Sequence, residues 1–167
     1  MKGHEELFSV TGKTAIVTGG SSGLGVAFAQ ALARAGARVV LAARRVEKLQ
    51  EVSRQIESDG GVAEASACDV GDSAQVEKLM EKAWSRFGRV DILVNNAGIV
   101  PDGGVMPEKV PHDLFEQTVR INLLGVWYCC RAAGATAKGV PSSISLPSPG
   151  WPDGRIIRRP ISPPRPQ

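Results

Sequence analysis

The chain has 167 residues, of which 43% are hydrophobic and 22% charged, which is enough for one compact domain and short for two. It contains no run of 18 apolar residues, and its charged first ten residues lack the apolar stretch of a secretory signal. Cys68, Cys129 and Cys130 are odd in number and lack metal-site spacing. We therefore predict no membrane span, no metal site, no disulfide framework and a cytoplasmic location.

The charge is unevenly distributed. Residues 1–133 contain 15 Lys and Arg and 16 Asp and Glu, whereas residues 134–167 contain 5 Lys and Arg and one Asp. Eight of the 11 prolines also lie in residues 134–167. This division predicts a near-neutral folded domain over residues 1–133. It also predicts a basic, Pro/Arg-rich and disordered tail over residues 134–167.

The body alternates between short apolar runs and stretches of helical periodicity. The predicted strands are Lys13–Thr18, Arg38–Ala42, Val62–Ala67 and Val90–Val94. The predicted helices are Leu24–Ala35, Val46–Ser58, Ser73–Phe87 with Ser73 as its cap, and one long helix from His112 to about Arg131. Strands separated by helices pair in parallel through right-handed crossovers, so we expect an open sheet in the order 3-2-1-4. Ligands of such sheets bind beyond the carboxyl ends of the strands.

The first strand runs into the glycine-rich turn T-G-G-S-S-G-L-G. A strand before it and a helix after it are the context in which such a turn cradles a nucleotide pyrophosphate at the helix N-terminus. The alternative is a turn with a structural role only. The predicted contacts are Thr18, Gly19, Ser21, Ser22, Gly23, Leu24 and Gly25.

The second strand ends in A-A-R-R. An NAD site usually carries an acidic residue here to accept the ribose hydroxyl protons, but this chain has Ala43 followed by Arg44 and Arg45. A guanidinium can bind a 2′-phosphate with two hydrogen bonds, so the pair favours NADP over NAD, with Arg44 as the first candidate contact and Arg45 as the second. The alternative is two solvated arginines at a helix start.

Three further motifs are C-D-V at residues 68–70, N-N-A-G at residues 95–98 and I-N-L-L-G at residues 121–125. Together with the glycine-rich turn, they resemble the short-chain dehydrogenase/reductase family over residues 8–133. The resemblance implies a Rossmann-type doubly wound parallel α/β sheet, here incomplete with about four strands. It implies adenine contacts at Asp69 and Val70, and a turn beneath the nicotinamide side at Asn95, Ala97 and Gly98. It also implies that Asn122 supports a catalytic lysine through a bound water.

The family transfers a hydride between a nicotinamide and a carbonyl or alcohol carbon, with a Tyr-x-x-x-Lys pair and a serine handling the proton and the substrate oxygen. The one tyrosine of this chain, Tyr128, is followed four residues later by Ala132, so we interpret it as a packing residue. The family's serine and its Tyr-x-x-x-Lys pair are not found. An NADP-dependent enzyme identity with an inactive chain is therefore one hypothesis.

The tail suggests how such a chain could arise. Read one frame away, the codons of residues 139–153 and 160–167 can encode the family's serine strand and its Y-x-x-x-K helix, in the right order. We therefore expect a frame change near residues 134–139. The alternative is a polyproline ligand segment, and a nucleic-acid-binding arm is less favoured because Trp151 is its one aromatic residue.

Two functions remain open from the sequence. One is an NADP-preferring oxidoreductase acting on an unknown small carbonyl or alcohol substrate, whose full-length relatives form dimers or tetramers. The other is a non-catalytic NADP-binding protein or a partner of an intact relative, pairing through the long helix. Neither involves nucleic acid or a membrane. We also expect the outer edge of the fourth strand to lack a partner and to lower solubility.

Overall fold

The computed structural model describes residues 8–100 and 106–136. Four parallel strands form one sheet in the order β3-β2-β1-β4, which confirms the predicted fold class and topology. The strands are β1 (Thr14–Thr18), β2 (Arg38–Ala43), β3 (Val62–Ala67) and β4 (Ile92–Val94). The α-helices are α1 (Leu24–Arg34), α2 (Val46–Ser58), α3 (Ser73–Phe87), α4 (His112–Val119) and α5 (Gly125–Thr136). A single 3₁₀ turn, Pro107–Lys109, precedes α4.

Helices cover both faces of the sheet, which explains why β1 is buried along its whole length and β2 at all but its two end residues. Ile16 and Val40 point to one face, where they pack with Leu79 and Met80 of α3 and with Cys129 of α5. The intervening strand residues Val17, Val39 and Leu41 point to the other face and pack with Ala29, Leu49 and Ile56 of α1 and α2. The sheet is thereby packed between two layers of helices, which fix the position of the edge at which the carboxyl ends of its strands lie.

The cap of α3 differs from the prediction. Asp72, and not Ser73, is the N-cap: its Oδ1 accepts hydrogen bonds from the backbone N–H groups of Ala74 and Gln75 at 2.9 and 3.3 Å. Aspartate and serine are both favoured at the N-cap, so the sequence D-S does not show which of the two caps the helix. The backbone dihedrals at the end of the preceding turn decide it.

The long helix predicted from His112 to Arg131 is wrong as a single α-helix. Residues Arg120–Leu124 form a π-helical segment between α4 and α5, in which the N–H of Gly125 donates to the carbonyl of Arg120. A Cβ atom on Gly125 would lie 2.9 Å from Val70 Cγ2, so α5 begins where the helix presses against the turn after β3. An apolar pattern with a period near 3.6 does not reveal one extra residue in a turn.

The boundaries at the end of the body also differ. Strand β4 begins at Ile92 and not at Val90, and α5 continues through Thr136, beyond the boundary predicted at residue 133. The rest of the tail lies outside the described residues, so the division into a domain and a disordered tail stays a prediction.

Strand β4 has a partner on one side. Among the residues that the structure describes, β4 pairs with β1 alone, and Ile92, Leu93 and Val94 are half-buried whereas every residue of β1 is buried. The lower solubility that the sequence analysis expects from an unpaired outer edge stays a prediction. In that same part, no helix combines the length and the apolar character needed to cross a membrane.

Candidate cofactor site

A cavity of about 500 Å³ opens above the carboxyl ends of the strands. The glycine-rich turn, the end of β2, the end of β3 and the loop after β4 all contribute to its walls. The cavity is lined by Gly19, Ser21, Ser22, Leu24, Ala42, Ala43, Arg44, Arg45, Cys68, Asp69, Val70, Asn96, Ala97, Gly98, Ile99 and Ile121. Ten of the predicted contacts are therefore brought together at one place.

The glycines of the turn are required by contact and by conformation. Gly19 has φ +68°, and a Cβ there would lie 2.8 Å from Asn96 Nδ2 and 2.9 Å from Ala97 Cα. A Cβ on Gly25 would lie 2.3 Å from the carbonyl oxygen of Gly19, so α1 can begin this close to β1 only without a side chain. Gly23 has φ +58° with open space beside it, as the approach of a ligand to the backbone requires. Gly23 is also the N-cap of α1 and forms no side-chain cap, which leaves the first N–H groups of the helix without a side-chain acceptor.

One of the two arginines after β2 reaches back to the glycine-rich turn. Arg45 Nη2 donates to Ser22 Oγ at 2.9 Å and to Ser21 Oγ at 3.2 Å, and all three side chains line the cavity. Arg45 is thus the arginine that bonds to the turn. The ranking of Arg44 before Arg45 as a contact of a 2′-phosphate stays a prediction. Arg44 lines the same part of the cavity, with no carboxylate of the described residues paired to it.

The end of β3, which lies beside the end of β2 in the sheet, runs into a tight turn that also lines the cavity. Gly71 N–H donates to Asp69 Oδ1 at 2.9 Å, and Asp69 N–H donates to Gln75 Oε1 at 3.0 Å. These bonds orient Asp69 and Val70 toward the cavity, where the resemblance placed the adenine contacts. Cys68 precedes them and is buried, and this burial together with the neighbouring Cys129 raises the pKa of its thiol to about 12. The thiol is therefore a neutral packing group on the cavity wall.

Thr18 fixes the loop that follows β4. Its hydroxyl donates to the carbonyl of Val94 and accepts from the N–H groups of Asn96 and Ala97, each at 3.1 Å. Asn96 Nδ2 in turn donates to the carbonyl of Thr18 at 3.0 Å. Thr18 is thus a buried support for the cavity and not part of its lining.

Asn95, which the resemblance placed at the cofactor, does not line the cavity, whereas its neighbour Asn96, for which no role was predicted, does. Asn95 points away from the cavity, with its Nδ2 donating to Cys130 Sγ at 3.4 Å, whereas Asn96 lines the cavity. The alternation of side chains continuing from β4 was the available signal, since it puts two neighbouring residues on opposite sides.

Asn122 lies in the π-helical segment and contacts the same loop. Its amide exchanges two hydrogen bonds with the backbone of Ile99, at 2.7 and 2.9 Å, and Ile99 lines the cavity. Asn122 itself is not part of the lining, so in this structure it acts on the cavity through Ile99. Its support of a lysine stays a prediction.

Some lining residues were not predicted. Cys68, Ile99 and Ile121 are apolar neighbours of motif residues, and a single sequence gives no reason to separate them from core residues. Tyr128 packs against the buried cluster that contains Cys129 and does not line the cavity, which agrees with its interpretation as a packing residue.

Comparisons with known proteins point to one family. The family model for "short chain dehydrogenase" matches residues 13–141. A putative ketoacyl reductase of the granaticin polyketide synthase of Streptomyces violaceoruber is 36% identical over 152 residues, covering 89% of this chain and 55% of that protein. D-threitol dehydrogenase of Mycolicibacterium smegmatis is 37% identical, covering 76% of this chain and 48% of that protein.

The solved structures agree with the sequence comparisons. The crystal structure of a metagenomic short-chain oxidoreductase in complex with NADP is 40% identical, with a TM-score of 0.71, and the match covers 75% of this chain and 57% of that one. This chain spans about half the length of the curated relatives it matches. The sheet order, the glycine-rich turn and these matches agree, and the chain belongs to the short-chain dehydrogenase/reductase family.

Proposed function

We propose that this chain binds NADP(H) as the dinucleotide-binding part of a short-chain oxidoreductase. The observation that carries the proposal is the cluster of Arg45, Ser21 and Ser22 on the wall of the cavity that also contains the glycine-rich turn. Two hydroxyl groups and one guanidinium, with Arg44 beside them, form a donor set suited to a phosphate monoester. The solved relative that contains NADP supports this choice of cofactor.

The residues present fit the different parts of such a dinucleotide. The free N–H groups at the start of α1 face the place of the pyrophosphate, because Gly23 provides no side-chain cap and leaves room for approach. Asp69 and Val70 bound the place of the adenine, and Ala97, Gly98 and Ile99 bound the nicotinamide side. When bound, NADPH supplies the hydride that the family transfers.

Calorimetry with NADP and NAD tests the preference. The unmodified chain is expected to bind NADP at least tenfold more tightly than NAD, because loss of a charge-assisted hydrogen bond costs about 1.5–3 kcal/mol. Arg44→Ala and Arg45→Ala should each weaken NADP binding about 10- to 100-fold and leave NAD binding within twofold. Arg54→Ala is the matched control, since Arg54 is an exposed arginine of α2 whose Nε bonds to the carbonyl of Gln50. Tighter binding of NAD than of NADP would overturn the preference.

We further propose that the 167-residue chain does not itself transfer hydride. Its one tyrosine, Tyr128, packs against the core and has Ala132 where a Tyr-x-x-x-Lys pair needs lysine. Without that pair, no described group stands ready to deliver a proton to the substrate oxygen. Oxidation of NADPH by the purified chain with a panel of ketones and aldehydes should stay at the background rate, and turnover that follows the protein concentration would contradict this.

A second candidate role rests on the exposed apolar side chains along α4, the π-helical segment and α5. Phe115, Leu123 and Trp127 are 60%, 63% and 60% exposed. Such a row is typical of an association surface, and it favours a non-catalytic chain that pairs with an intact relative. Sedimentation velocity at rising concentration tests for association of the chain with itself and, in a mixture, with a full-length relative. If the chain stays monomeric in both experiments, cofactor binding is left as the proposed role.

A further inference from the structure

The side chain of Arg120 lies over the turn that follows β3. Its Cγ and Nε lie 3.4 and 3.5 Å from the position that a Cβ of Gly71 would occupy, so the side chain folds onto the backbone of that turn. Gly71 directly follows Val70, and Arg120 directly precedes Ile121, and both Val70 and Ile121 line the cavity. Arg120 does not itself line the cavity, but its side chain lies on the turn that contributes Asp69 and Val70 to the lining.

The donors of Arg120 are not used by the described part of the chain. Within residues 8–100 and 106–136, its side chain forms no hydrogen bond and no ion pair. A carboxylate of the same turn, that of Asp69, accepts from the Gly71 N–H through its Oδ1. A planar cation with a free face is suited to stacking on an aromatic ring.

The backbone of Arg120 is held in place. Its carbonyl accepts the N–H of Gly125, the bond that defines the π-helical segment, and Gly125 presses on Val70. The same segment that displaces the helix from regular geometry thus presents Arg120 toward the turn after β3.

We propose that Arg120 contacts the adenine base of the bound dinucleotide and closes that end of the cavity by a cation–π contact. The inference rests on the proposed function, because it requires the adenine to lie between the ends of β2 and β3. It adds a binding residue that none of the sequence motifs contains.

The test is the dissociation constant of NADP and of 2′,5′-ADP, the adenosine half of the cofactor, for variants at this position. Arg120→Ala and Arg120→Met should each weaken both ligands by the same factor, about 3- to 30-fold, because a cation–π contact contributes about 0.5–2 kcal/mol. Arg120→Lys should weaken the binding of both ligands by a smaller factor, since lysine keeps the positive charge but lacks the planar guanidinium. The dissociation constant of pyrophosphate, which has no base, should be the same for all variants.

Arg131→Ala is the matched control, because Arg131 is an exposed arginine of α5 that reaches Glu77 and does not line the cavity. It should bind NADP as the unmodified chain does. NADP binding by Arg120→Ala equal to that of the unmodified chain would overturn this inference alone, and so would an equal loss of pyrophosphate binding. An unmodified chain that binds neither NADP nor 2′,5′-ADP would instead overturn the proposed function, and the inference with it.

Discussion

Asn122 and Ile99 are joined by a pair of hydrogen bonds that ties the π-helical segment to the loop after β4. Ile99 N–H donates to Asn122 Oδ1 at 2.9 Å, and Asn122 Nδ2 donates to the carbonyl of Ile99 at 2.7 Å. A side-chain amide carries a donor and an acceptor side by side, so Asn122 satisfies both backbone atoms of Ile99 at once. The part of the cavity lining formed by Ile99 is thereby fixed to a helical segment 23 residues away in sequence.

Replacing Asn122 should loosen this loop and the cofactor site together. Asn122→Ala removes both bonds, and Asn122→Asp replaces the donor to the Ile99 carbonyl with a repelling oxygen, so each should cost about 1–3 kcal/mol of unfolding free energy. We expect NADP binding to weaken as well. Urea denaturation and calorimetry measure the two effects, with Leu123→Ala as the exposed neighbouring control. Wild-type stability in Asn122→Asp would show that the pair contributes little.

Gly25 should tolerate no side chain. Gly25→Ala places a methyl group 2.3 Å from the carbonyl oxygen of Gly19, so the turn and the start of α1 must separate. Such overpacking costs about 1–3 kcal/mol, and the displaced turn should no longer bind NADP. Gly134→Ala is the control, because nothing lies within 4 Å of that position in α5. It should stabilise the chain by up to about 1 kcal/mol. Equal effects of the two changes, measured by thermal unfolding, would contradict the close contact.

Asp91 should stabilise the start of β4 in a pH-dependent way. Burial acts to raise the pKa of its carboxyl, but hydrogen bonds from Arg89 and from the N–H of Thr14 outweigh burial and lower that pKa. A lowered pKa in the folded state stabilises above the unfolded value near 4, and the contribution is lost as the pH falls through the folded value. Asp91→Asn should therefore cost about 1 kcal/mol at pH 7 and less as the pH falls below about 4.

The control for Asp91 is Glu77→Gln, which removes an exposed pair with Arg131 at 3.7 Å. An exposed pair contributes little, so its unfolding free energy should stay within about 0.5 kcal/mol of the unmodified chain at every pH. A pH-independent cost for Asp91→Asn would show that the charge does not carry the effect.

The three cysteines should differ in reactivity. The thiolate is the reactive form, and burial, with a smaller contribution from a neighbouring cysteine in each case, raises the pKa of Cys68 to about 12 and of Cys129 to about 11. Cys130 is exposed. Alkylation at pH 7.5 followed by mass spectrometry should find one modified site in the native chain, Cys130, and three after denaturation. Rapid modification of Cys68 in the native chain would show that the cavity wall opens.

The sequence by itself determined the strand order and the location of the cavity. Apolar runs that end in glycines or polar motifs fix four parallel strands, and all their carboxyl ends meet at one edge, so residues as distant as Gly19, Arg45, Asp69 and Ala97 had to converge. The spacing of apolar residues and the residue types found in turns are local properties of a sequence, so they can be recognised in a single chain.

Tertiary structure decided what depends on contacts between distant segments. It assigned the bond with the glycine-rich turn to Arg45, turned Asn95 away from the cavity in favour of Asn96, and placed a π-helical segment where Gly125 meets Val70. Each outcome follows from close packing, in which a side chain or one extra helical residue goes where neighbouring atoms leave room. No local pattern carries that information, because the neighbours come from other parts of the chain.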